Sequence, residues 1–222
     1  MNDCPYSVVP DTVRGCYYSK QAPGKYFNDQ RDDPTEELYR KLISQMKVKY
    51  PAIHWGHLES CGVNAMTNCL GVTLEGRRII DRLTQTMGIY KQQFPHILIG
   101  YLNDPNNYKK MKELRDNLDP RLLQGNRVPQ YYYLVALEVC GIRAHFEWGC
   151  SIEKVKEYLY LRHPVQVCEP GHYLAAVSYD LKDSDIIYVY NSYPKTGSGI
   201  NEKRTRADFK NFADWLIWYE IS

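Results

Sequence analysis

Three residues, Cys61, His172 and Asn191, are of the types that carry out nucleophilic thiol chemistry. A cysteine thiol is a weak nucleophile until a neighbouring base or a helix dipole converts it to the thiolate. An imidazole can stabilise that thiolate as an ion pair and later give its proton to a leaving amine. A side-chain amide that accepts a hydrogen bond from the ring fixes the tautomer of the imidazole.

Each of these residues also has a purely structural interpretation. Buried cysteines usually behave as small apolar side chains. His172 could be a hydrogen-bonded structural histidine, and Asn191 could be an ordinary turn residue. The catalytic hypothesis therefore depends on whether the surrounding elements bring the three side chains together.

The segment 57–70 predicts a buried helix with Cys61 in its first turn. The side-chain oxygen of Ser60 can accept a hydrogen bond from an unpaired N–H group of that turn. An apolar face with helical spacing follows, formed by Val63, Ala65, Met66 and Leu70. The helix dipole would favour the thiolate of Cys61, and Gly62 leaves space beside the sulfur.

His172 is predicted to begin a strand after the turn formed by Pro170 and Gly171. That strand is expected to run over 172–179, and the next over 185–191. If the two strands form a hairpin around 182–184, His172 and Asn191 come level on neighbouring strands, where the amide can orient the ring.

The chain as a whole predicts an α+β protein, with helices in its first half and an antiparallel sheet in its second. Predicted helices cover 34–49, 76–87, 109–118, 129–140, 151–161 and 205–214. Further strands are predicted at 142–148, 164–168 and 215–221. A single domain over 1–222 is expected, with an irregular arm at 1–25 and a weakly periodic insertion at 88–128.

Composition excludes several classes of function. The net charge of +2 argues against a nucleic-acid partner, and no apolar run is long enough to span a membrane. The seven cysteines are an odd number without Cys-x-x-Cys spacing, which argues against a zinc site and against a complete disulfide framework. No other metal and no cofactor are expected. The N-terminus lacks a signal-peptide pattern, which favours a cytoplasmic location at synthesis, with later release or association with the virion if the chain is a phage lysin.

Four segments in chain order resemble the papain-fold cysteine peptidases. They are Gln30-Arg31-Asp32-Asp33-Pro34, Cys61-Gly62, Gly171-His172-Tyr173 and Asn191. The resemblance is to the compact bacterial and phage branch related to bacteriocin-processing (double-glycine leader) peptidases, over about residues 26–221. It implies a papain-like fold in which a nucleophile helix packs on the sheet. It also implies that Gln30 and the Cys61 backbone N–H form the oxyanion hole.

The chain departs from this family at two points. Gln30 precedes Cys61 by 31 residues, with a predicted helix between them. The family usually ends its second strand with Asp-Pro-Tyr, whereas this chain has Asn191 followed by Ser192, Tyr193 and Pro194. An asparagine can orient the imidazole, but it does not stabilise the imidazolium by charge.

The sequence therefore predicts a cysteine-dependent amide-bond hydrolase that acts through a thioester. Its substrate would be a peptide, a protein or the peptide part of peptidoglycan. Expected substrate contacts are Trp55, His57, Gly62, Gly171 and Tyr173. Two alternatives remain open, namely a non-catalytic interaction protein that keeps the fold and an acyl transferase that uses the same residues.

Overall fold

The described residues of the protein, in a computed structural model, are 14–15, 35–49, 61–117, 135–193 and 199–221. Among these residues, five α-helices lie in the first half, namely α1 (Thr35–Lys49), α2 (Cys61–Gly71), α3 (Leu74–Met87), α4 (Phe94–Asn103) and α5 (Tyr108–Asp116). Short 3-10 turns at Lys91–Gln93 and Pro105–Asn107 and a π-helical turn at Ala136–Cys140 connect them to one another and to the second half. Helices α6 (Ile152–Tyr160) and α7 (Arg206–Phe209) lie among the strands.

The strands form one antiparallel sheet within the described part of the chain. They are β1 (Arg14–Gly15), β2 (Arg143–Trp148), β3 (Val165–Glu169), β4 (His172–Asp180), β5 (Ile186–Tyr190), β6 (Glu202–Thr205) and β7 (Trp215–Glu220). Their order is β2-β7-β3-β4-β5-β6, and β1 pairs with the far end of β4. The segregation of helices and antiparallel strands confirms the predicted α+β class.

Helix α2 lies at the centre of the core. All eleven of its residues are buried, and it packs on β3, β4, α3 and α4. A helix that is buried on every side needs little polar surface, and its sequence is accordingly apolar or small at most positions. Helix α6 packs on β3, β4 and β5, so the central strands carry helices as well as neighbouring strands.

Local sequence signals account for several element ends. The side chain of Thr73 accepts a hydrogen bond from the Gly76 N–H and caps α3, and Ser151 caps α6 in the same way at the Lys154 N–H. Gly141 ends the π-helical turn with a left-handed conformation, at φ 72°. These signals are the reason that the predicted bounds of α3 and α6 lie close to the observed ones.

Three elements differ from the prediction. Helix α4 was not predicted because its sequence is apolar on nearly every side, which removes the amphipathic period. It is buried against α1, α2 and α3. Strand β6 was missed because its charged residues are weak strand formers, and it forms only by pairing with β5. The helix predicted over 205–214 is a single turn, α7.

Some predictions fall outside the described residues. They are the arm at 1–25 apart from β1, the segment 129–134 of a predicted helix, Gln30, Trp55 and His57. The single-domain organisation and the status of 88–128 as an insertion stay predictions. None of the described helices is long and apolar enough to cross a membrane.

Candidate active site

A tight turn between β3 and β4 positions His172 in the candidate site. Glu169 pairs with His172 across the two strands, and only Pro170 and Gly171 lie between them. Gly171 has φ 79°, a left-handed conformation that other residues adopt only with strain. The sequence Pro-Gly supplies the two dihedral angles that a type II turn requires, so the position of His172 is set locally.

Asn191 follows the last residue of β5 and reaches His172 diagonally. His172 Nε2 lies 2.8 Å from Asn191 Oδ1. The sequence predicted that the two residues would be level. Tyr190 instead pairs with Ala175, so that continued register would place Asn191 opposite Leu174, two residues from His172. Diagonal neighbours on adjacent strands are within reach of long side chains, which is how the predicted contact forms.

The amide of Asn191 makes further hydrogen bonds on both of its sides. The Tyr193 backbone N–H donates to Oδ1 over 2.9 Å, and Nδ2 donates to Glu202 Oε2 over 3.0 Å. The side chain is 5% exposed. A buried amide held at both its oxygen and its nitrogen has little freedom to rotate.

Behind Asn191 lies a charged group formed by Glu169, Glu202 and Arg204, here called the Arg204 cluster. Arg204 Nε donates to Glu169 Oε2 over 3.0 Å, and a terminal nitrogen of Arg204 donates to Glu202 Oε2 over 3.1 Å. Burial opposes the charge of Arg204, but the two carboxylates outweigh it and raise the pKa of the guanidinium. The sequence analysis missed this cluster, since nothing in the spacing links β3 to β6.

Cys61 is the first residue of α2, as predicted, and is 5% exposed. Five of the seven cysteines lie among the described residues, and all five are thiols rather than halves of disulfides. At the first turn of a helix, the dipole favours the thiolate, whereas Cys69 lies near the other end of the same helix, where the dipole opposes it.

A buried glutamine fastens the N-terminal end of α2 to the sheet. Gln166 Nε2 donates to the Gly62 carbonyl over 3.3 Å, and the Tyr219 hydroxyl donates to Gln166 Oε1 over 2.5 Å. Gln166 is fully buried and pairs with Ala175, three positions along β4 from His172. This link places the start of α2 towards the end of β4 that carries His172. A polar residue inside an apolar strand was the available signal.

The structure describes some of the other predicted site residues. Gly62 is buried directly after Cys61, and Gly171 serves the turn before His172. Tyr173 is 7% exposed, and its ring lies 5.8 Å from that of Trp215, which is a packing contact. Gln30, Trp55 and His57 lie outside the described residues. Within the described ranges there is no group of three or more metal-ligating side chains.

Comparisons with known proteins add little to this geometry. No protein-family model matches the chain, and a search of curated proteins gives no significant match. Among solved structures, the chain is similar to a Bacillus anthracis protein provisionally described as a C39-like peptidase, with a TM-score of 0.32 and 15% identity. The match covers 40% of this chain and 57% of that one. A likeness this weak carries no argument about fold or function.

Proposed function

We propose that the chain is a cysteine-dependent amide-bond hydrolase with a papain-like fold. The observation that supports it best is the 2.8 Å contact between His172 Nε2 and Asn191 Oδ1 at the start of β4. The helix that begins with Cys61 packs on that same strand. The proposed substrate is a peptide, a protein or the peptide part of peptidoglycan.

In the proposed first step, the Cys61 thiolate attacks the carbonyl carbon of the scissile amide. The carbonyl oxygen becomes an oxyanion, which needs hydrogen-bond donors in fixed positions. The Cys61 backbone N–H is one proposed donor, because N–H groups in the first turn of a helix have no intrahelical acceptor. The side-chain amide of Gln30 is the second proposed donor.

The proposed second step forms the thioester. The C–N bond breaks, and the imidazolium of His172 gives its proton to the departing amine nitrogen. Water then attacks the thioester while neutral His172 accepts the proton of that water. The C–S bond breaks, the acid leaves, and the thiolate and imidazolium are restored. Asn191 holds the ring in one orientation through both steps.

Two other functions use the same fold. An acyl transferase would let an amine replace water at the thioester, which changes the acceptor and none of the residues. A non-catalytic interaction protein would keep the fold with an inert Cys61. Burial by itself favours the inert thiol, so the reactivity of Cys61 separates the enzyme from the interaction protein.

The test is to measure the rate of iodoacetamide alkylation at each cysteine between about pH 5 and pH 9, by mass spectrometry. Cys69, Cys140 and Cys150 are internal controls, because burial raises the pKa of each, to about 12 for Cys140 and Cys150. We expect Cys61 to react at about pH 6 at least tenfold faster than Cys69. Its selectivity should disappear in His172→Ala.

A Cys61 that reacts no faster than Cys69, with no effect of His172→Ala, would overturn the proposal in favour of the interaction protein. A reactive Cys61 leads to the next assay, in which peptide libraries and peptidoglycan fragments are incubated with the wild type and with Cys61→Ser. Hydrolysis by the wild type alone would establish the reaction. Transfer to an added amine, in preference to water, would instead identify the acyl transferase.

A further inference from the structure

The Asn191 amide has its orientation fixed by neighbours that can bond in only one sense. The Tyr193 backbone N–H can only donate, so the amide atom 2.9 Å from it is an oxygen. The Glu202 carboxylate only accepts, so the amide atom 3.0 Å from it is the nitrogen. Both neighbours agree, and His172 Nε2 therefore faces an acceptor and carries a proton.

We propose that Glu202 is a positioning residue that holds the Asn191 amide and supplies, one hydrogen bond beyond it, the negative charge that favours protonated His172. The carboxylate polarises the amide by accepting from Nδ2, which increases the partial negative charge on Oδ1. The donor facing Oδ1 is the His172 ring. For the rate at Cys61, this inference rests on the proposed function, but its effect on His172 does not.

The same contacts explain why residue 191 is an asparagine. An aspartate there could still accept from His172 and from the Tyr193 N–H. Its second oxygen, however, would take the place of Nδ2, which lies 3.0 Å from Glu202 Oε2. Two carboxylates at that distance cannot both ionise easily. The negative charge is therefore carried by Glu202. The neutral amide of Asn191 connects that carboxylate to His172 through two hydrogen bonds.

Arg204 holds Glu202 in this role. Its guanidinium bonds Glu202 and Glu169, and its side chain is 16% exposed, against 25% and 24% for the two carboxylates. The cluster has one positive and two negative charges, so a net negative charge remains behind Asn191. Of the described residues, β3 places Glu169 opposite His172, and β6, one strand beyond β5, carries Glu202, Lys203 and Arg204. The helix α6 also packs on β4 and carries Glu153, Lys154, Lys156 and Glu157, while β1 pairs through Arg14 with the far end of β4.

The test uses the full chain with Cys61→Ala, so that no thiol influences the ring. Nuclear magnetic resonance gives the proton dissociation constant of the His172 imidazolium, with His172→Gln used to assign its signals among the six histidines. In this background, Glu202→Gln keeps the shape and the acceptor but removes the charge. We expect it to increase the dissociation constant by about threefold to tenfold.

Lys203→Gln is the matched control on the same strand, since Lys203 is exposed and is the next residue in the chain. It removes a charge of the opposite sign, so it should leave the dissociation constant unchanged or decrease it slightly. Arg204→Gln should decrease the constant, because Glu202 loses its counter-ion. If Glu202→Gln does not fold, this opposite change still tests the inference, and an unchanged constant in Arg204→Gln would overturn it.

A second cycle tests the pairing of residues 191 and 202 in the chain that retains Cys61. Asn191→Asp should slow alkylation of Cys61 at about pH 6, and adding Glu202→Gln should restore at least half of the lost rate. No restoration, or no effect of Glu202→Gln on His172, would overturn the inference while the proposed function stands. A wild-type Cys61 without selective reactivity would overturn the proposed function, and the His172 titration would still decide the inference.

Discussion

Two histidines in the same sheet lie beside carboxylates in contrasting surroundings. His145 on β2 pairs directly with Glu220, with 3.2 Å between Nε2 and Oε2, and stacks on Trp218 at 3.9 Å. These two side chains are 37% and 46% exposed. His172 on β4 instead contacts the buried amide of Asn191. The amide nitrogen of Asn191 in turn donates a hydrogen bond to the Glu202 carboxylate.

The comparison indicates that a direct contact with a carboxylate does not hold a histidine ring more firmly than a buried contact through an amide. The pair formed by His145 and Glu220 is solvated, so water and salt weaken it and its rotamers stay free. The chain from His172 to Asn191 and the Arg204 cluster is largely shielded from water, and each donor has a defined acceptor. Such an arrangement fixes a ring in one orientation, which is what general acid and base chemistry needs.

The largest expected difference between the two histidines is in the reactivity of Cys61. His172→Ala should lower the alkylation rate of Cys61 at about pH 6 by about a hundredfold or more, because the proposed thiolate would lose its proposed counter-ion. His145→Ala should leave that rate within about twofold. Equal effects of the two substitutions would erase the contrast.

The next effect concerns the buried link that positions α2. Gln166→Leu keeps the volume but removes the buried hydrogen bonds of the Gln166 side chain to the Tyr219 hydroxyl and the Gly62 carbonyl, so we expect a loss of about 1–3 kcal/mol in the free energy of unfolding. Denaturant titration followed by circular dichroism measures it. The exposed Gln85→Leu on α3 is the control and should change stability by about 0.5 kcal/mol or less. A Gln166→Leu protein as stable as this control would show that the link does not fasten the helix.

A smaller loss is expected when the Arg204 cluster is broken. Arg204→Gln leaves Glu169 and Glu202 without their shared cation, which should cost about 1–2 kcal/mol of unfolding free energy. Glu220→Gln, which breaks the exposed pair with His145, should cost about 0.5 kcal/mol or less. Both can be measured by urea denaturation at low and high salt. If the two losses are the same size, burial does not distinguish the regions.

The smallest effect is a pH dependence at His163, whose ring lies 4.7 Å from that of Trp218. Burial lowers the pKa of His163 below its ordinary value of 6.5. The unfolded chain then binds the proton more readily than the folded chain does. The contribution of His163 to the free energy of unfolding is therefore complete above pH 6.5, and it is lost as pH falls towards the folded pKa. As the pH is lowered from 7 to 5, the free energy of unfolding should fall less steeply for His163→Gln than for the wild type. Identical slopes would contradict the expectation.

Much of the fold was predictable because the responsible signals are local. The Ser151 cap, the left-handed Gly141 and the Pro170-Gly171 turn act within a few residues, and the elements they bound lie close to where the sequence puts them. Helix α4 was not predictable from period, because burial among three helices removes the polar face that the period requires. Strand β6 depends wholly on its pairing with β5.

The candidate site divides in the same way. The sequence by itself determined that Cys61 lies in the first turn of a buried helix, that His172 follows a tight turn and that Asn191 lies next to the end of a strand, because each depends on neighbours in the chain. Only the tertiary structure decided that Asn191 meets His172 diagonally and that Glu202 and Arg204 lie behind it. Strand register and the approach of β3 to β6 join residues that are far apart in the chain. Such contacts depend on how whole faces pack, which no local pattern records.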